Sequence, residues 1–549
     1  MRWNIGYLLL SAALSAYAQA PPDLILHSGK IFTGDSALTW AQALAIRGER
    51  ILAVGSDIDV LALAGKATRQ LDLQGRTVIP GINDAHTHVW GRTYIWPIAA
   101  GRSVGTVGMS EPSLDDVLAR ISTEVQSAPE GSWINAEVGG KVLSDPRANR
   151  MTLDTIAPKH RIQLFGWTGN GLVLNTAALR ALNISDEEPD PVGGWYERVD
   201  GTRQVNGVLQ GMANFGAKAC LAASLPEAVV SSELQRFYQD ALQFGITSIQ
   251  DMSFQPPARV VGALARTPPP IRWREMQVPG ATEKCPQPGD ERAIPENPLP
   301  HVAVSGTKYV LDGTPIERLA WMREPYSDRP DSSGIPYFMA EEIAGRIKNA
   351  SGSAREQLLF HVVGDKTTDT LLSLLARAAG SEGCSHKRPR FEHGDFVTGE
   401  FWDLARALGA IVVQNPSHFT LTDIMFPRFG SARVSRMMPV KSLLNAGIPF
   451  AIGSDGLLNP FLNIMFASIH PVNPAEAISR EEAVVAYTRG SAFAEFAENQ
   501  KGTLAPGMLA DMAVLSQDMF TVPAGQLPGT RSVMTLVGGR IAYDSGSLK

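Results

Sequence analysis

Two histidines one residue apart, His86 and His88, close the segment Asp84-Ala85-His86-Thr87-His88. Residues i and i+2 of a strand project from one face. The two imidazoles should therefore point together, and neutral imidazole is a common metal ligand. Four further ionisable residues stand at corresponding places on later apolar runs. Lys308 lies in Gly306-Thr307-Lys308-Tyr309-Val310-Leu311. His361 follows Leu358-Leu359-Phe360, His393 ends Arg390-Phe391-Glu392, and Asp455 ends Ile452-Gly453-Ser454. Each alone has an ordinary explanation: a core histidine, a Lys308–Asp312 pair, a helix cap at Asp455. Buried charges without partners are costly, so four such groups at matching positions opposite a His pair point to one metal-binding site. His418, in Asn415-Pro416-Ser417-His418, is placed either to orient substrate and stabilise an oxyanion or to pack on the rim. Asp365 and Asp395 are candidates for orienting metal ligands, and Asp365 equally for a helix cap.

Such residues need a frame that gathers distant strand ends. Eight strand candidates fit: Thr77–Ala85, Ile246–Met252, Ile271–Val278, Val302–Leu311, Leu358–Val363, Arg390–His393, Ala410–Gln414 and Pro449–Ser454. Helical patterns such as Glu227–Phe244 and Thr367–Ala379 lie between many of them. The alternation predicts an α/β fold with a parallel sheet. Eight strands predict a (β/α)8 TIM barrel, whose active sites form at the C-terminal strand ends. From His88 to Ile246 there are about 160 residues where a βα unit takes ~30. An inserted subdomain is therefore expected at about 91–240, with a helix over Leu114–Val125 and a strand at 162–165. Short strands at both chain ends predict a small composite β domain from 22–80 and 496–549, flanking a barrel of 81–495. Pro279–Pro300 reads as a long loop on the active-site side.

Composition narrows the chemistry. A net charge of −6 argues against a nucleic-acid binder. With 549 residues, 44% of them hydrophobic, general disorder is excluded. Three scattered cysteines, Cys220, Cys285 and Cys384, cannot form a four-thiolate site. Metal ligands must then be His, carboxylate or Lys. Arg2, the apolar run Tyr7–Leu14 and Ala16-Tyr17-Ala18 predict a signal peptide over 1–18, cleaved after Ala18, with export to the periplasm or medium. The apolar run is shorter than the ~20 residues that span a bilayer, so no membrane attachment is expected after cleavage. Cysteine pairing is permitted in that compartment, but spacing chooses no pair and leaves at least one cysteine over.

Taken together, Val78-Ile79-Pro80-Gly81, His86-Thr87-His88, His361, Glu392-His393, Gly453-Ser454-Asp455 and the tail Lys501–Leu515 resemble the amidohydrolase superfamily. The similarity is to its amidohydrolase-3 branch of YtcJ-like and formamide-deformylase-like metal-dependent hydrolases, and it covers nearly all of the mature chain. It implies that His86, His88 and Asp455 hold a buried metal and that His361 and His393 hold a second. It also implies that Lys308, once carboxylated, bridges the two. One or two zinc ions suit these donors, and iron, manganese or nickel also fit. The implied activity is hydrolysis of a carbon–nitrogen bond in a small-molecule substrate, with Asp455 as the proton shuttle.

The sequence departs from that pattern at Asn170, where many relatives carry His, and at Gln210-Gly211, where a Glu is common. Substrate choice should differ accordingly. An esterase, lactonase or phosphotriester hydrolase on the same metals is the alternative, since fold and metal do not fix the bond. A non-catalytic periplasmic binding protein is disfavoured by the complete ligand set. An oligomer is compatible with the sequence.

Overall fold

The protein is described here from a computed structural model covering residues 20–90, 112–166, 169–280, 285–351, 356–379 and 387–548. The expected signal peptide, Cys384, His386 and part of the expected insertion fall outside these residues.

Eight strands form one parallel sheet: β1 (Ile82–Thr87), β2 (Ile246–Asp251), β3 (Arg272–Gln277), β4 (Val302–Val310), β5 (Leu358–Val362), β6 (Arg390–His393), β7 (Ile411–Gln414) and β8 (Phe450–Ile452). Neighbours pair in sequence order, as a (β/α)8 barrel requires. Their sequences explain the arrangement. Leu358–Val362 and Ile411–Gln414 are buried at every position. Parallel strands are covered on both faces and so read as continuous apolar runs. The seam between β8 and β1 is drawn together by Asp455 N–H donating to the His86 carbonyl (2.9 Å) and Ser454 N–H donating to Asp84 Oδ1 (2.8 Å). A Cβ on Gly453 would lie 2.4 Å from His86 Cβ, so only glycine allows this approach.

One strand expectation is corrected. The run Thr77–Ala85 is not one strand but two. Thr77–Pro80 belongs to a different sheet, and the barrel strand starts at Ile82. Gly81 divides them: it donates to the Asp511 carbonyl, and a Cβ there would meet the Thr247 side chain at 2.1 Å.

Thr77–Pro80 pairs in parallel with Lys30–Phe32 and antiparallel with Met512–Leu515, so both termini share a six-stranded sheet. Leu24–His27, Ala43–Arg47, Arg50–Gly55 and Arg69–Asp72 make a four-stranded sheet beside it. Leu26, Leu44, Val78, Met512 and Leu536 pack between these sheets.

Between β1 and β2 the chain builds a further five-stranded sheet. Its helix over Leu114–Val125 buries Leu114, Val117 and Ile121, at the 3.6-residue spacing of one face. The sheet runs into α1 (Met212–Ala223), which is almost entirely buried. Cys220 of α1 is disulfide-bonded to Cys285 in the loop after β3, fixing the pairing that spacing left open. A second helix, α2 (Thr422–Val434), contains Pro427 and a non-helical Gly430 and is kinked there. Among the described residues no helix is long and apolar enough to cross a membrane.

Candidate metal centre

Seven of the residues singled out above converge on the C-terminal mouth of the barrel. His86 and His88 come from the end of β1, Lys308 from β4, His361 from β5, His393 from β6, His418 from the turn after β7 and Asp455 from just past β8. Every side chain except His418 is buried or nearly so. His393 and Asp455 have φ of 71° and 42°, a left-handed conformation uncommon for such residues and typical of functional positions.

Asp455 stands between two groups of imidazoles. Its Oδ1 lies 3.6 Å from His86 Nε2 and 3.4 Å from His88 Nε2. Its Oδ2 lies 3.3 Å from His418 Nε2 and 3.8 Å from His393 Nδ1. Lys308 Nζ is 3.2 Å from His86 Nε2 and 3.0 Å from Met252 Sδ. Asp312 accepts from the backbone of Trp321, Val363 and Gly364 and from Thr367 Oγ1, and its Oδ1 lies 3.8 Å from His361 Nε2.

The outer partners decide which nitrogen each histidine presents. His86 Nδ1 donates to Glu392 Oε2 (2.7 Å), a carboxylate also held by Arg390 Nε (2.7 Å). His88 Nδ1 donates to the Met252 carbonyl (2.9 Å). Both rings therefore turn an Nε2 lone pair inward, 3.1 Å apart. Two facing lone pairs repel unless positive charge lies beside them. His393 Nδ1 bonds Asn415 Oδ1 (2.8 Å), and that amide's orientation is set by Nδ2 donating to the Gly453 carbonyl. His361 Nε2 is buried and makes no hydrogen bond. Burial, then the Lys308 charge, holds His86 well below the usual histidine range and brings His361 down to about 3. Burial and neighbouring His361 lower His393 as well. These imidazoles are neutral at physiological pH, the form that binds metal. Ligand atoms of His86, His393 and Asp455 lie within 4.8 Å of one another. Converging lone pairs, an orphaned buried nitrogen and a nearby carboxylate fit a divalent cation.

The orienting residues differ from those expected. Asp365 sits at a helix start and accepts from Arg323 N–H, away from the ligands. Asp395 is not among the orienting partners either; it is buried beside the cavity, and burial pushes it up to about 6. Glu392, Arg390 and Asn415 do the orienting. Arg390 and Glu392 are charged residues two apart in a short buried strand, a pattern that signals an internal ion pair. His160 and His470 bond backbone carbonyls away from the site.

Above the centre lies a cavity of about 330 Å³. α1 contributes Phe215, Lys218, Ala219 and Ala222, one helical face. Asn170 of the insertion also lines it, whereas Gln210 bonds Glu197 instead. Further lining comes from the segment around α2.

Comparison with known proteins agrees with this geometry. The profile of the amidohydrolase family matches residues 69–543. The putative amidohydrolase YtcJ of Bacillus subtilis is 24% identical, over 95% of this chain and 99% of its own. The N-substituted formamide deformylase of Arthrobacter pascens is also 24% identical, over 95% and 98%. Protein LONG AFTER FAR-RED 3 of Arabidopsis thaliana is 26% identical, over 95% and 91%. Among solved structures, an uncharacterized metal-dependent hydrolase from Pyrococcus horikoshii superposes with a TM-score of 0.68 at 20% identity, covering 91% of this chain and 99% of that one.

Proposed function

The chain belongs to the amidohydrolase family, and on that premise we propose that it hydrolyses a non-peptide or N-acyl carbon–nitrogen bond. The observation that carries the reading is the Asp455 carboxylate, set with one oxygen toward His86 and His88 and the other toward His393 and His418. His86, His88 and Asp455 would hold one divalent metal and His361 with His393 a second, zinc being well suited to these donors. When bound, the metal supplies Lewis acidity and lowers the pKa of water. Lys308 would join the ligands only as a carbamate, since an ammonium offers no lone pair. Asp455 Oδ2 takes the proton of the attacking water and returns it to the leaving nitrogen. His418 Nε2 steadies that oxygen or faces the developing oxyanion. Similarity to the N-substituted formamide deformylase of Arthrobacter pascens supports a carbon–nitrogen bond.

The test is a panel of N-acyl amino acids, N-substituted formamides and cyclic amides beside matched esters and lactones, with metal content measured on the same protein. Amide turnover that chelation abolishes and metal restores is expected. Turnover of esters alone would replace the reading with an esterase; a metal-free, inert protein would end it. We also propose export by cleavage after Ala18, a reading supported by the Cys220–Cys285 disulfide. The secreted chain should begin at Gln19 by N-terminal sequencing, and an intact Met1 would refute it.

A further inference from the structure

The cavity lining given by the segment around α2 is rich in apolar side chains, with Phe419, Met425, Val434, Met437 and Met438 all lining it and all buried. Unbranched methionines make a surface that adapts to irregular hydrophobic shapes. One charged group interrupts this wall. Asp395 follows β6, is 4% exposed, lines the same cavity, and its Oδ1 has no hydrogen-bond partner. Its backbone is fixed, because the Asp395 carbonyl accepts from Met438 N–H (2.8 Å). A buried acceptor left unmatched costs stability, and native structures rarely keep one without a reason. Asp312, by contrast, accepts from the Val363 and Gly364 backbone and from Thr367 Oγ1. Asp395 has no such set.

We propose that Asp395 accepts a hydrogen bond from an amine N–H of the substrate while the methionine-rich wall packs the apolar group beside it. The substrate class is then an amide that also bears an amino group next to an aryl or long alkyl portion. This deepens the hydrolase reading only in treating the cavity's ligand as the substrate; the site itself is read from the wall.

The probes are 3-phenylpropylamine and its donor-free analogue 1-methoxy-3-phenylpropane, titrated calorimetrically into metal-loaded protein. Wild type should bind the amine at least tenfold more tightly than the ether. Asp395→Asn and Asp395→Leu should each weaken amine binding at least tenfold and leave ether binding unchanged or improved. Asp395→Leu should also keep or raise the melting temperature, whereas a carboxylate serving only the fold would lower it. Equal affinity of wild type for both probes, or amine binding untouched in the variants, overturns the inference. Wild type alone decides if a variant does not fold. The measurement needs no turnover, so an inert amide panel would sink the hydrolase reading without touching this one, and the reverse also holds.

Discussion

On the floor of the cavity, His86, His361, His393 and Asp455 stand at or just past the ends of buried parallel strands. On its walls, Phe215 and Ala219 come from an inserted helix tied by a disulfide, Met425 from a kinked helix after β7, and Met437 from the segment just past that helix. The floor is held by sheet ladders and by outer partners such as Glu392 and Asn415. The walls are held by packing and one covalent tether. The difference separates two kinds of information. Reaction chemistry rests on a frame that tolerates little change, and substrate choice rests on elements that can be altered without disturbing it.

The largest expected effect breaks the floor. Asp455→Asn should keep much of its metal but lose about 10³-fold in turnover, read by metal analysis beside steady-state kinetics; retained turnover would remove Asp455 as the proton shuttle. Next comes the wall's tether. Replacing Cys220 and Cys285 with Ser opens a loop with a sequence separation of 65. This should cost about 4 kcal/mol on the chain-entropy account, seen as a lower melting temperature with metal content intact. Glu392→Gln takes the charge from behind His86 and should cost about 10- to 100-fold in metal affinity, measured by competition with a chelator. Met437→Ala should shift the ratio of kcat/KM between long- and short-tailed substrates about tenfold and leave metal affinity alone; a change in metal affinity would join wall and floor into one unit.

The smallest effect concerns protons. Folding holds His361 down at about 3, whereas the unfolded imidazole binds a proton below its usual 6.5. Its contribution is therefore complete above pH 6.5 and is lost as pH falls toward 3. Metal-free wild type should lose about 1 kcal/mol relative to His361→Asn between pH 6.5 and 5.5. Parallel pH–stability curves would show that His361 is not buried in its neutral form.

Legibility follows the same division. His86, His361, His393 and Asp455 were readable as candidate ligands because each stands at or near the end of an apolar run. The eight barrel strands were readable for the same reason, apart from the break at Gly81. That break depends on Thr247 pressing against the chain from β2, which no local pattern reveals. The role of Glu392 behind His86 depends on a contact between β1 and β6 that no local pattern shows, and Asp365 lies near His361 in sequence but bonds Arg323 in space. The wall was least legible. Its methionines and phenylalanines look like ordinary core, and only the fold shows that they border a cavity. The Cys220–Cys285 pairing likewise depends on where the insertion docks.

The seam of the barrel has a consequence for how the protein becomes active. Ser454 reaches Asp84 across 370 residues of chain, and Asp455 reaches His86 beside it. The ligands thus sit where the first and last strands meet, among the contacts with the highest loop-closure cost in the molecule. A chain emerging from synthesis holds His86 and His88 hundreds of residues before it holds Asp455. No partly closed intermediate can therefore present the full ligand set, and hydrolysis reports on completed topology. In refolding, activity should return no earlier than the slowest long-range step, after most helical signal has already recovered.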